Sequence, residues 1–124
     1  MLTTGKMVGF LLTMDYGKAR EFYEGKLGLT FVMLNPFALV MRAGENLVRI
    51  VKAAAFAPLQ STVLGWEVSD VEAEVGWLAA RGVETEKYPW VADKEHGIWT
   101  TPGGDKVAWF KDPDGNVLSV SQHR

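Results

Sequence analysis

The sequence predicts an α+β fold made of two successive β-α-β-β-β modules. Strand-like and helix-like runs follow one another in the same order twice, and an acidic residue opens the helix of each half. The repeat is positional as well. Asp15 and Asp70 stand 55 residues apart, while Asn46-Leu47-Val48-Arg49 and Asn116-Val117-Leu118-Ser119 follow matching turns 70 apart. At 124 residues the chain suits one domain, 1–124, with module one over about 6–52 and module two over about 62–121.

Residues 6–14 form an apolar, strand-like run, hydrophobic on both alternating sides as a covered strand would be. From Asp15 a helix is expected with Tyr16, Ala19, Tyr23 and Leu27 on one face, closed by Gly28 in a left-handed cap. Strands follow at 29–34, 37–42 and 46–52, with Asn35-Pro36 and Ala43-Gly44-Glu45 as turns. A connector over 53–60 leads to a strand at 62–68, and Ser69-x-x-Glu72 reads as a capping box. The second helix places Val71, Val75, Leu78 and Ala79 on its apolar face and ends at Gly82. Three more strands are expected at 83–88, 106–111 and 116–121.

Composition narrows the function. With 48% hydrophobic and 23% charged residues the chain has the makeup of a folded globular protein. The absence of cysteine excludes disulfides, thiolate metal sites and a cysteine nucleophile. A net charge of −2 from scattered charges offers no basic stripe, so no nucleic-acid partner is expected. The longest apolar run, 7–14, is too short to span a bilayer and the first residues lack a signal-peptide layout; no membrane association and a cytoplasmic location are expected.

The stretch Asp15-Tyr16-Gly17-Lys18-Ala19-Arg20-Glu21-Phe22-Tyr23-Glu24-Gly25-Lys26-Leu27-Gly28 resembles the first helix of the vicinal oxygen chelate superfamily. This is the group of glyoxalases, bleomycin-resistance proteins and dioxygenases, where Phe-Tyr followed by Leu-Gly is typical. Val107-Ala108-Trp109-Phe110-Lys111-Asp112-Pro113-Asp114-Gly115-Asn116 is similar to its closing hairpin, although Pro-Asp-Gly-Asn alone is a good turn between any two strands. The resemblance implies a glyoxalase-like, cup-shaped curved mixed β-sheet. Helices would cover its convex side and the concave side would hold the ligand. It also implies a homodimer.

In the superfamily's enzymes a divalent metal is held from the first and last strand of each module by His, Gln or Glu. Aligned on the Phe-Tyr pair and the turns, those positions fall at Val8, Arg49, Val63 and Ser119. Two isopropyl groups and a permanently protonated guanidinium are the opposite of a cation site, and a one-residue shift restores no triad. No metal and no cofactor are therefore expected. His96, in a loop, and His123 are read as surface residues, and Glu67 as a solvated carboxylate near a strand end.

The same positions supply candidate ligand-binding residues. Arg49 would clamp a carboxylate or phosphate, or else pair with a nearby acid or face solvent from an edge strand. Ser119 is its repeat partner, and Val8 and Val63 are the vacated positions beside them. Trp66 and Trp77 are expected in the core. Tyr88, Trp90 and Trp99 flank an insertion-like loop, 91–97, and with Trp109 they line either a lid or a subunit interface. Phe10, Phe110, Met33 and Met41 complete an apolar set that suits an aromatic or alkyl ligand or plain core packing.

The expected function is metal-independent binding of a small molecule, anionic or aromatic, on a glyoxalase-like scaffold. Arg49 suits an anion better than a cationic drug. Two alternatives stay open: a lyase, isomerase or dioxygenase whose metal is recruited by His96, Glu67 or a partner chain, and metal-free acid–base catalysis, for which no predictable cavity position carries the groups.

Overall fold

The computed structural model describes residues 1–124. The chain divides into two compact units, Met1–Ala57 and Pro58–Arg124, and each repeats the same plan. In unit 1, β1 (Val8–Thr13) leads to α1 (Tyr16–Arg20), which continues as a π-helical turn over Glu21–Lys26. Then come β2 (Thr30–Leu34), β3 (Leu39–Ala43) and β4 (Asn46–Lys52). The strand order is β1-β4-β3-β2, with β1 parallel to β4 and the other pairs antiparallel. Unit 2 contains β5 (Thr62–Glu67), α2 (Val71–Ala80), β6 (Trp99–Thr100), β7 (Lys106–Lys111) and β8 (Val117–Gln122), in the order β5-β8-β7-β6 with β5 parallel to β8. Two four-stranded mixed sheets, each with one helix crossover, make this an α+β fold. No helix is long and apolar enough to cross a membrane.

Both helices begin where a carboxylate caps them. Asp15 accepts the Lys18 N–H and Asp70 the Ala73 N–H, each at 3.1 Å. The expected capping box at Ser69 is thus displaced by one residue, because Asp70 carries the cap. Glu72 instead pairs with the Lys106 ammonium at 2.6 Å. The Gln122 amide oxygen accepts the Val71 N–H at 3.0 Å, tying the end of β8 to the start of α2. Gly28 and Gly82 close the helices at φ 78°, a left-handed conformation that a side chain would oppose.

The π-turn carries Phe22 and Tyr23, which are both buried and meet edge to face at 5.1 Å. With Ala19 they form the helical part of a core completed by Leu11, Leu39, Met41, Val48 and Ile50. In unit 2 the buried set is Val71, Val75 and Leu78 from α2, with Ala108, Phe110, Leu118 and Val120 from the strands. Trp66, half-buried, stacks on Phe110 at 6.2 Å. Trp77, also expected in the core, is 40% exposed with the Arg81 guanidinium 4.1 Å above its ring. Ala79, placed on the apolar face in sequence, is exposed too.

The strand expected at 83–88 is absent. Its alternation is real, with Val83 and Thr85 buried, but its backbone does not enter a ladder. One bond, from the Glu86 N–H to the Trp109 carbonyl at 2.7 Å, links it to β7, whose paired neighbour is β6.

Candidate functional site

The registers place the repeat-related positions as the offsets require. Phe10 lies opposite Arg49 in unit 1, and Gly65 lies opposite Ser119 in unit 2. Arg49 is on a central strand, between β1 and β3, so the edge-strand reading is corrected; it is nevertheless exposed, on the face that also presents Val8, Phe10 and Leu12. Phe10 is 66% exposed and belongs to no core. Phe110 and Met41 take the opposite part: at 1% and 0% exposure they are core and unavailable to a ligand.

In unit 2, Ser119 is buried and its hydroxyl occupies the space that Gly65 leaves. A Cβ at residue 65 would stand 2.9 Å from Ser119 Oγ. Val63 falls in the irregularity between Thr62 and Leu64, where it is half-buried. Across the ladder Ser119 faces Trp109, and one row on Ser121 faces Val107, which faces Trp99. Alternation puts all of these on one face of the sheet.

On that face four rings come together. Trp90 stacks on Tyr88 at 5.6 Å with the planes 6° apart, and meets Trp109 at 5.4 Å and Trp99 at 5.6 Å edge to face. Trp109 also contacts Tyr88 at 5.6 Å and lies nearly parallel to Trp99 at 6.3 Å. Such offset and T-shaped pairs suit the ring quadrupole. The wall is not sealed, since Trp90 is 59% and Trp99 37% exposed. Sequence alone places Tyr88, Trp90 and Trp99 beside the loop at 91–97 and Trp109 on its strand, but not their convergence into one cluster. The available signal was the clustering of aromatics on both sides of 91–97.

The loop that carries Trp90 is held by its own hydrogen bonds. The Asp93 carboxylate accepts the N–H groups of His96 at 3.0 Å and Glu95 at 3.2 Å, and the Lys94 ammonium donates to the carbonyls of Tyr88 and Pro89. Thr85 donates its hydroxyl to the His96 carbonyl at 2.6 Å. Gly97 permits this closure: at φ 69°, a Cβ there would stand 2.5 Å from the Glu86 carbonyl oxygen. The His96 N–H is the main cause of an Asp93 carboxyl held below the usual value, with burial opposing and the Ile98 N–H assisting.

The donor chemistry does not fit a divalent metal. Val8, Arg49, Val63 and Ser119 provide one hydroxyl among them, and no three His, Asp or Glu side chains converge elsewhere. His96 stands 3.6 Å from Asp93 and 3.7 Å from Glu95, on the surface. It shares a cavity of about 270 Å³ with Glu72, Asp93 and Ile98, where Glu72 is already engaged by Lys106. Glu67 is exposed at the end of β5.

Sequence position did not reveal the contacts of His123. Its Nε2 lies 3.1 Å from Ser121 Oγ and its Nδ1 3.5 Å from Asp105 Oδ2.

Two sheets of one topology, each with its first and last strands paired in parallel and the other two strands beyond the last, define the class of tandem βαβββ domains. The chain belongs to the Glyoxalase/Bleomycin resistance protein/Dioxygenase superfamily, whose family model matches residues 6–120. Similar solved structures include a bleomycin-binding protein complexed with bleomycin, at 20% identity over 98% of this chain and 100% of that one, with a TM-score of 0.75. TnmS3, an antibiotic binding protein from Streptomyces sp. CB03234, is 23% identical over 100% and 99% with a TM-score of 0.71. A glyoxalase family protein from Enterococcus faecalis is 20% identical over 98% and 99% with a TM-score of 0.72. At these identities the likeness is one of fold. No curated protein matches the sequence.

Proposed function

We propose that the protein binds a planar aromatic small molecule without a metal, on the ring wall of unit 2. The observation that carries this reading is the four-ring cluster of Tyr88, Trp90, Trp99 and Trp109, set on a sheet and a hydrogen-bonded loop with Trp90 and Trp99 open to solvent. Rigid aromatic faces bind flat ligands at low entropic cost, and the Ser119 hydroxyl supplies a polar anchor on the same face. The bleomycin-binding and antibiotic-binding fold neighbours support ligand binding as the role. In unit 1 we propose Arg49 as an anion-binding residue, because its exposed guanidinium stands among apolar side chains.

Anilinonaphthalene sulfonate, both aromatic and anionic, is a suitable probe in isothermal titration calorimetry. Trp90→Ala and Trp99→Ala are each expected to weaken it about tenfold, the equivalent of about 1.4 kcal/mol. Undiminished affinity in both variants, or no binding to the unaltered protein, refutes the reading.

We also propose a homodimer formed through the β1 face, where Val8, Phe10 and Leu12 are exposed side by side; an anion held by Arg49, which shares that face, would then be enclosed at the subunit interface. Phe10→Asp is expected to convert a dimer to a monomer in light scattering; a monomeric unaltered protein overturns it.

A further inference from the structure

We propose that Ser121, His123 and Asp105 form a metal-free acyl-transfer relay that accepts the acyl group of an activated ester, with aryl esters as the substrate class. The three side chains come from two places in the chain. Ser121 is on β8, His123 lies just beyond it, and Asp105 ends the turn between β6 and β7. The imidazole bridges the hydroxyl at 3.1 Å and the carboxylate at 3.5 Å. The order of groups is that of a nucleophile, a base and an orienting acid.

Asp105 and the chain beside the relay are held by contacts outside it. Asp105 accepts the Arg124 N–H at 2.9 Å through its other oxygen, and its own N–H donates to Thr101 Oγ1 at 3.0 Å. The Arg124 side chain lies over Gly104, whose missing Cβ leaves room for it. Gln122, between the serine and the histidine, is fixed to the start of α2. A proton on Nδ1, facing the carboxylate, leaves Nε2 to accept the Ser121 O–H. The hydroxyl is half-buried in the ladder rather than at a free end.

The position selects the substrate. Ser121 shares its face of the sheet with Ser119 and is paired with Val107, itself paired with Trp99. Trp109, opposite Ser119, is its diagonal neighbour, within about 7–8 Å. An aryl group lying on the rings therefore brings its ester carbonyl toward the hydroxyl. The relay alone suits activated esters, whose leaving groups depart with little stabilisation of the oxyanion.

Ser121 Oγ attacks the carbonyl carbon as its proton passes to His123 Nε2. The bond from that carbon to the aryl oxygen then breaks, and the aryloxide leaves as a phenol with the proton from His123. Water repeats the sequence on acyl-Ser121, with His123 again taking a proton, and releases a carboxylic acid. Ester and water give phenol and acid, with no oxidant or metal required. Asp105 acts as a positioning residue.

The choice of an aryl group rests on the proposed ring wall; the relay does not. The test is incubation with 4-nitrophenyl acetate, followed by peptide mapping for acetyl-serine and by phenol release. Acetylation at Ser121 is expected, with phenol release about 100-fold slower in Ser121→Ala and His123→Ala. Asp105→Asn is expected to slow it, Asp105→Glu to restore part of the rate, and NMR of the His123 ring nitrogens to show Nδ1–H only where a carboxylate is present. Acetyl groups on lysines alone, or an unchanged rate in Ser121→Ala, overturn the relay. Calorimetry of anilinonaphthalene sulfonate with the unaltered protein separates the two readings: binding without acetylation of Ser121 sinks the relay and leaves the wall standing, and acetylation of Ser121 without binding does the reverse.

Discussion

Trp90→Ala removes a ring that contacts the other three, and its cost follows from the geometry. At 59% exposure the side chain is covered over roughly 100 of the roughly 250 Å² a tryptophan presents, which at about 25 cal/mol/Å² contributes about 2.5 kcal/mol. The contacts with Tyr88, Trp99 and Trp109 each add about 0.5–1.5 kcal/mol. Because an unfolded chain already covers part of that area, the sum is an upper bound, and about 3 kcal/mol is expected. In urea unfolding followed by far-ultraviolet circular dichroism, that is a midpoint lowered by about 1.5 M at a slope of about 2 kcal/mol/M. Trp90→Phe, which keeps a smaller ring, is expected to lose less than half as much. A loss under about 1 kcal/mol in the alanine variant, or equal losses in both, would show that the rings do not support one another.

Gly97→Ala is expected to destabilise by about 3 kcal/mol, since it adds a left-handed side chain to an overlap with the Glu86 carbonyl; retention of the original urea midpoint would refute the closure described for the loop. Asp93 gives a pH dependence of definite sign. Its carboxyl is held below the ordinary 3.8, so its support of the loop is complete above that value and is lost as pH falls through it toward the lower folded value. Trp90 emission is expected to change in that acid range in the unaltered protein and not in Asp93→Asn; identical titrations would exclude Asp93 as the cause.

Much of the fold is written in residues with local work to do. Asp15 and Asp70 cap helices, Gly28 and Gly82 end them, and the bounds of β4 and β7 agree with their apolar runs, because each signal acts within one turn or one strand. Residues 83–88 show the limit. Alternation reports which side chains are covered, and Val83 and Thr85 are, but it does not report where the backbone finds partners; here Lys87 donates to the Thr85 carbonyl and Thr85 to His96. The size of Trp77 and its place on a helix predict an inward ring, yet it stays 40% exposed beneath the Arg81 guanidinium, one turn on. At the site, Trp109 is legible on the strand at 106–111 and Trp99 only as an aromatic beside the loop; β6, two residues long, leaves no alternation to read. The joining of Ser121 and His123 to Asp105 depends on how a turn returns beside β8, which no spacing in the sequence encodes.

The two ladder pairs at matched repeat positions carry a further lesson. One backbone address is filled by phenylalanine and arginine, Phe10 beside Arg49, and its duplicate by the smallest residue and a short alcohol, Gly65 beside Ser119. Both pairs sit in a parallel ladder, the second with an irregularity at Val63, and within each the partners are matched: a Cβ at residue 65 would meet Ser119 Oγ at 2.9 Å, so the two members of a pair diverge together. A tandem architecture of this kind holds a spare copy of every location: one can be enlarged, charged or hollowed out while its twin preserves the geometry. The chain thereby supplies its own template for redesign, in which transplanting the glycine–serine pair into the first half, or the bulky cationic pair into the second, asks how much chemistry one address will accept.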